Sequence, residues 1–455
     1  MDCATRYPHH LAKLVAERLH SARGRTPPES VLTRLLETLY FASLKTDEGR
    51  RVHCTVDYVD PRQADVDLAK QIRADQWTYA RFDRVLPFDV RNVAKLARAA
   101  DPEVSSLAVF SDRKHRLFTW GMVDQEPRYG EAIALDAPAH QERPGLFQAT
   151  IAGSGNIAVY HRGILVGSLM QNALVQEYHN VLWSGPVHAI LKDHLHRSWA
   201  KRREGAAGPR LAAPHDAAAP AAIARAAHPE LLTSGLLLRW INAVCRILVN
   251  IQRYRHGGGL LIVPQPSSEG LDIKYRLTYD RLLTALAGLV RYQLAPALDA
   301  AADALRAFHR GLDEHRNEVL GAIRFIASLT SVDGVILLDR SLTVRGFGVE
   351  LRTDNTLSRV FLAGDAAASP ELLRETDSTH FGTRHRAMMR YCHAREGALG
   401  FVVSQDGEIQ AMTRIGSRLV VWENIDVQLA FAVENQLAAG QGQGPVLRRY
   451  IARAA

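Results

Sequence analysis

Four consecutive residues, Thr383-Arg384-His385-Arg386, set a hydroxyl, two guanidinium groups and an imidazole directly after Gly382. This set suits a polyphosphate. Each Arg fork can make bidentate charge-assisted contacts to phosphate oxygens, Thr can donate a hydrogen bond, and glycine lets the backbone approach closely. A second piece is Val332-Asp333-Gly334-Val335, where an acid and a glycine open an apolar, strand-like run. A carboxylate there can hold a divalent cation and draw a proton from an attacking hydroxyl. A third is Ser404, which ends the apolar run Leu399 to Val403 and is thereby presented at a sheet rim. Singly, such pieces are common, since a basic tetrad is usually a solvated surface and an Asp-Gly pair usually a turn. Together they supply the two sides of a nucleotidyl transfer.

Another cluster, Asp193-His194-Leu195-His196 with His188 nearby, invites a metal reading. On a helix, positions 194 and 196 lie about 200° apart and face opposite ways. That spacing suits a metal poorly and reads as surface histidines beside the basic run Lys201-Arg202-Arg203.

The elements that must position these groups follow from periodicity. His9 to His20 and Pro28 to Ser43 repeat apolar residues at helical spacing. Strand signals follow at Ser106 to Phe110, Leu117 to Trp120, Phe147 to Ile151, and Asn156 to Tyr160 with Ile164 to Gly167, the last two reading as a hairpin. A helix is expected over Pro229 to Gln252, then a glycine run leading into Leu260-Leu261-Ile262-Val263, then a long helical region from Tyr279 to Leu329 broken near Pro296. Gly334 to Leu338 and Leu342 to Phe347 read as strands. Leu399 to Val403 and Glu408 to Met412 flank Asp406-Gly407, a two-residue hairpin signal. The first half is thus expected to be α+β and the second a mixed α/β layer structure.

Composition sets the frame. The chain has 455 residues, 47% hydrophobic and 23% charged, which excludes collagen-like, wholly disordered and disulfide-scaffold classes. Ala206 to Ala227 holds 12 Ala and 3 Pro, too few large apolar groups for a core. It reads as the linker, dividing the chain into an N-terminal α+β regulatory or sensor domain (1–200), a linker (201–227), a nucleotide-binding domain with a helical insertion (228–430) and a tail (431–455). The excess of 56 Lys and Arg over 48 Asp and Glu suits an anionic partner without naming it. No helix-turn-helix cue, zinc spacing or aromatic RNA signature accompanies it, so nucleic acid is not expected. The four cysteines are far apart, as expected of reduced thiols. Leu231 to Val249 is interrupted by Arg239, Asn242 and Arg246, which fits a buried amphipathic helix rather than a membrane span. The start of the sequence lacks a signal-peptide layout, so a cytoplasmic protein is expected.

In order, these motifs resemble a known family. Asp333-Gly334-Val335 is similar to the Asp-Gly-Ala signature of the diadenylate cyclase (DAC) domain, and Gly382-Thr383-Arg384-His385-Arg386-Ala387 to its Gly-Thr-Arg-His-Arg signature. Gly258 to Val263 resembles that family's first core strand, Leu271-Asp272-Ile273 the segment after it, and Phe401 to Gln405 its strand ending in Ser. The resemblance covers roughly residues 230 to 425. Val335 stands where Ala is usual and Gln405 where many members have Glu, while 279–325 and 361–377 look like insertions. The overall layout resembles a divergent, DACNV-type branch of DAC-variant proteins, expected to act as sensors in bacterial conflict systems.

The resemblance implies condensation of two ATP molecules into cyclic di-AMP and pyrophosphate, with two domains face to face in a homo-oligomer. It assigns Asp333, with Mg²⁺ or Mn²⁺, to activation of the 3′-hydroxyl. Thr383, Arg384, His385 and Arg386 would hold and neutralise the triphosphate. Gly334 and Val335 would line the nucleotide through their backbone, Gly382 would allow close approach, Leu351 would meet adenine, and Ser404 would reach a phosphate or the metal shell. The alternative is a nucleotide sensor that binds without turnover and signals through its other domain, suggested by Val335, Gln405 and the insertions.

Overall fold

The computed structural model describes residues 6–19, 27–47, 49–62, 78–100, 105–124, 147–161, 164–170, 173–175, 179–204, 229–254, 256–265, 269–293, 302–353, 356–405, 407–425 and 427. Most of the expected linker, from 205 on, and the whole tail lie outside these residues. The chain forms two compact units, 1–178 and 179–455. Each is mixed α/β.

In the first unit, α1 (Pro8–Leu19) and α2 (Glu29–Ser43) each bury one stripe, Leu11, Val15 and Leu19 on the first and Val31, Leu32, Leu35, Leu36 and Leu39 on the second. A two-stranded piece, β1 (Thr46–Asp47) with β2 (Arg50–Arg51), precedes an eight-stranded sheet. Its strands are β3 (Thr55–Tyr58), β4 (Thr78–Pro87), β5 (Ser105–Ser111), β6 (Leu117–Asp124), β7 (Phe147–Gly153), β8 (Asn156–His161), β9 (Ile164–Met170) and β10 (Ala173–Val175), in the order β10-β9-β8-β7-β3-β5-β6-β4. Only the β3–β5 pair is parallel. Val56, Leu107, Val109, Ala149, Ile151 and Val159 alternate onto the face that packs against the helices. Helix α3 (Val90–Leu96) starts where the Asp89 carboxylate accepts the Asn92 N–H at 2.8 Å. The expected β8–β9 hairpin is present.

The second unit begins with α4 (Gly185–Glu204), α5 (Pro229–Arg253), β11 (Gly258–Val263), β12 (Leu271–Tyr279), α6 (Arg281–Gln293), α7 (Ala302–Ser328), β13 (Val335–Asp339) and β14 (Val344–Leu351). It continues with β15 (Arg359–Ala363), β16 (Leu373–Asp377), α8 (Thr383–Ala394), β17 (Leu399–Val403), β18 (Ile409–Ile415) and β19 (Arg418–Trp422). The nine-stranded sheet runs β12-β14-β13-β11-β17-β18-β19-β15-β16, with β11–β13 and β15–β19 parallel and the other pairs antiparallel. The three layers explain the apolar runs of β11, β13 and β17: central strands covered on both faces have no reason to alternate. A Cβ on Gly258 would touch Ile251 of α5, whereas one on Gly259 would touch Met388 of α8, so the two helices cover opposite faces. Helices α5, α6 and α7 pack on one another.

Three expectations change. Helix α4 ends in the residues read as the close of the first domain, yet it groups with the second unit, where Ser198 Oγ donates to the Arg340 carbonyl at 2.9 Å. The loop between β17 and β18 is not the two-residue type. Ser404 N–H donates to the Glu408 carbonyl and Gly407 N–H to the Ser404 carbonyl, with Gly407 at φ +89°, so Ser404 and not Gln405 faces Glu408 across the turn; Asp406 lies outside the described residues. The segment 361–377, which looked like an insertion, supplies most of the β15–β16 hairpin that extends the sheet beyond β19.

The α4 histidines also differ from a surface cluster. His196 is exposed and His188 Nδ1 sits 3.0 Å from the Leu182 carbonyl, but His194 is buried. Burial, opposed by Asp193, holds the His194 imidazole down to about 4. Between pH 6.5 and 4 the unfolded chain takes up a proton that the folded chain refuses, so stability is intact above pH 6.5 and falls as pH falls through this window. The full loss is about 3 kcal/mol. Urea midpoints at pH 7 and pH 4.5 should therefore diverge more for the natural chain than for His194→Gln, and equal slopes would refute this assignment.

Candidate functional site

Strand register collects the motif residues at one rim of the second sheet. Because β11 and β13 are parallel with Gly259 opposite Val335, both strands start at that rim. Antiparallel pairing of Gly258 with Val403 brings Ser404 to it, and pairing of Val335 with Val349 brings Leu351. Helix α8 starts there too. A Cβ placed on Gly257, whose φ is +70°, would lie 2.9 Å from the Val403 carbonyl oxygen and 3.1 Å from Arg384 Nη1.

The centre of the rim is an open ion pair. Arg384 Nη2 lies 3.7 Å from Asp333 Oδ1, and the Asp333 side chain is fully exposed. Asp333 is held by the backbone that follows. Gly334 takes φ +117°, and a Cβ on it would come within 2.6 Å of the Gly348 carbonyl carbon, where β13 and β14 shift register. Val335 turns away from the rim, 4% exposed, into the core beneath α8. Its γ-carbon lies where a Cβ on Gly259 would be 2.9 Å away. The bulk that Val adds over Ala is therefore accommodated by a glycine on the neighbouring strand, and only backbone remains at the rim.

Helix α8 contributes its own field. Gly382 is the N-cap, no side chain caps it, and the first turn carries no acid. The first-turn N–H groups and the helix dipole thus favour an anion at Thr383 to His385. Thr383 is exposed and Arg384 half-buried. Arg386 buries its Nε with no hydrogen-bond partner among the described residues, a donor suited to an incoming acceptor. His385 is held below its usual range by burial first and by the Arg384 charge second, so it enters the site as a neutral imidazole at pH 7.

Leu351 lies farther along the rim with Ile273, Leu357 and Phe381, all partly buried against the α8 core. This apolar wall could face a planar ring. Ser404 Oγ accepts the Glu408 N–H at 3.0 Å, which leaves its hydroxyl proton to donate elsewhere. The structure therefore brings Asp333, Gly334, Arg384 and Ser404 to one edge, keeps Leu351 on the same edge in an apolar stretch, and turns the Val335 side chain inward. Sequence reasoning missed Gly257 as the contact point for Arg384, and it missed Phe381. The run Gly257-Gly258-Gly259 was the available signal. Among the described residues, no group of three or more His, Cys, Asp or Glu side chains is arranged to hold a metal, and no helix is long and apolar enough to cross a membrane.

No curated protein matches the chain. A solved structure, of a hypothetical membrane spanning protein from Bacillus cereus, is similar at 14% identity over 42% of this chain and 71% of that one, with a TM-score of 0.21. Residues 21–124, which include α2 through β6, match the family described as probable sensor domain DACNV. Residues 21–124, which lie in the first unit, are thus similar to the probable sensor domain DACNV, a match consistent with a DACNV-type protein.

Proposed function

We propose that the second unit is a diadenylate cyclase-like domain that condenses two ATP molecules into cyclic di-AMP, with the DACNV-type unit as its regulatory input. The supporting observation is the Asp333–Arg384 juxtaposition at the uncapped start of α8. A carboxylate beside the start of a basic helix joins a proton acceptor to a triphosphate cradle. Thr383, Arg384 and the first-turn N–H groups bind the phosphates, and the buried Arg386 Nε is one further donor. Asp333 takes the proton of the 3′-hydroxyl as its oxygen bonds to the α-phosphorus of the facing nucleotide, and pyrophosphate leaves with the bond to its bridging oxygen. Arg384 offsets the charge that moves onto pyrophosphate. Two domains must face each other for this exchange, so the active species is a homo-oligomer.

An exposed carboxylate next to a phosphate site fits Mg²⁺ or Mn²⁺, which commonly takes one or two carboxylates and completes its shell with substrate phosphates and water. Asp333 would hold such an ion, which would supply charge neutralisation to the phosphates.

The second reading is a sensor that binds adenine nucleotide without turnover, favoured by the description of the family matched by residues 21–124. Incubating the full chain with ATP and Mn²⁺ at high protein concentration separates the two. Cyclic di-AMP supports the cyclase. Stoichiometric ATP binding with no product replaces it with the sensor, and absence of binding overturns both.

A further inference from the structure

The same rim carries oxygen ligands that the nucleotide reading does not use. Glu408, Gln410 and Glu423 gather on one sheet face. Positions 408 and 410 are two apart along one chain and project to one side. The pairing of Ala411 with Trp422 carries Glu423 opposite Gln410. That side is the one α8 covers, because Val402, which pairs with Gln410, and Val421, two residues before Glu423, belong to the core beneath α8.

Gln410 supplies the observation that two neighbouring acids alone would not. It is 5% exposed, and its Nε2 donates to Glu408 Oε1 at 3.0 Å. That bond fixes the amide, since the reversed orientation would set two acceptor oxygens against each other. Gln410 Oε1 is left buried with no hydrogen-bond partner. An unmatched buried carbonyl costs about 1–3 kcal/mol. Glu423 adds a second strained group, its carboxyl held above the usual range by burial first and by Glu408 next, with Arg374 opposing. Two carboxylates that repel each other and an unmatched amide oxygen are all relieved by one hard cation. Mg²⁺, Mn²⁺ and Ca²⁺ take this all-oxygen set, whereas zinc favours the His and Cys that are missing from it.

We propose that Glu408, Glu423 and Gln410 Oε1 bind one divalent cation of the Mg²⁺, Mn²⁺ or Ca²⁺ class, at a site separate from Asp333. The ion would tie the end of β19 to the start of β18 beside the loop that carries Ser404.

Mn²⁺ titration of the full chain without nucleotide, followed by electron paramagnetic resonance, tests this. One ion per chain is expected, with affinity weakened at least about tenfold by Glu408→Gln and by Glu423→Gln. Both changes keep side-chain size, and the circular dichroism spectrum checks that each variant is folded. Glu375→Gln, at an exposed pair with Arg359, should leave binding unchanged. Mn²⁺ should also raise the melting temperature of the natural chain and not that of Glu423→Gln. No bound Mn²⁺ at millimolar concentration, binding indifferent to both Glu substitutions, or binding lost instead in Asp333→Asn would overturn the site. Because no ATP is present and no product is read, failure here is distinct from failure of the cyclase reading.

Discussion

Asp333→Asn is expected to lower cyclic di-AMP formation by about a thousandfold, in the range for losing a positioned general base, while ATP affinity stays within about twofold. Asn keeps the size and an oxygen but cannot take up the 3′-hydroxyl proton. Arg384→Ala should behave differently. It removes a charge-assisted phosphate contact worth about 1.5–3 kcal/mol, so ATP affinity itself falls by about 10- to 100-fold. Neither change should disturb the fold. Their mutual contact is 3.7 Å long, with Asp333 fully exposed, and ion pairs of that kind contribute little to stability. Isothermal titration with ATP and product quantification on the same preparations separate the outcomes. Full activity in Asp333→Asn would remove Asp333 from the chemistry, and unchanged affinity in Arg384→Ala would move the triphosphate elsewhere.

The contrast between those residues marks how far the sequence was legible. The Thr383 to Arg386 run begins a helix at the N-cap position Gly382, and the buried Met388, Met389 and Cys392 of its later turns anchor it on the sheet. Its composition therefore disclosed the charge but not the helix that carries it, which was not among the elements expected from periodicity. Strand runs such as Leu260 to Val263 and Val335 to Leu338 were equally plain, because a strand covered on both faces must be apolar throughout. Strand β12 was recognised only as a segment. It is an edge strand paired with β14 alone, and apart from Leu271 none of its residues is fully buried, so no alternation marks it. The placement of α4 was hidden for another reason. Composition changes sharply after Trp199, but packing groups residues by contact, and the buried Leu191, Leu195 and Trp199 belong to the second unit. Partnerships across the sheet left no local trace: the room that Gly259 makes for Val335, and the approach of Arg384 to Gly257, depend on register between segments far apart in the chain.

Gly334 joins the motif to the fold most tightly, and its replacement should have the largest effect on stability. In Gly334→Ala two costs add. A φ of +117° lies where side-chain-bearing residues are strained by about 1–3 kcal/mol. The new methyl would also sit 2.6 Å from the Gly348 carbonyl carbon and 2.8 Å from both the Gly348 Cα and the Val349 nitrogen. These are backbone atoms of the paired strand, so no side-chain rotation relieves the clash, and forced repacking costs about 1–3 kcal/mol more. A total near 4 kcal/mol is expected, seen as a lowered denaturant midpoint together with loss of cyclic di-AMP formation, because Asp333 is carried on the same turn. Gly416→Ala separates the terms: Gly416 has φ +58° but nothing within 4 Å of its Cβ position, so only the conformational cost applies, about 1 kcal/mol. If the two variants lose equal stability, the close approach of Gly334 to Gly348 does not govern the turn. If Gly334→Ala alone collapses, the Asp-Gly pair is there because β14 leaves no room for any other residue beside the acid.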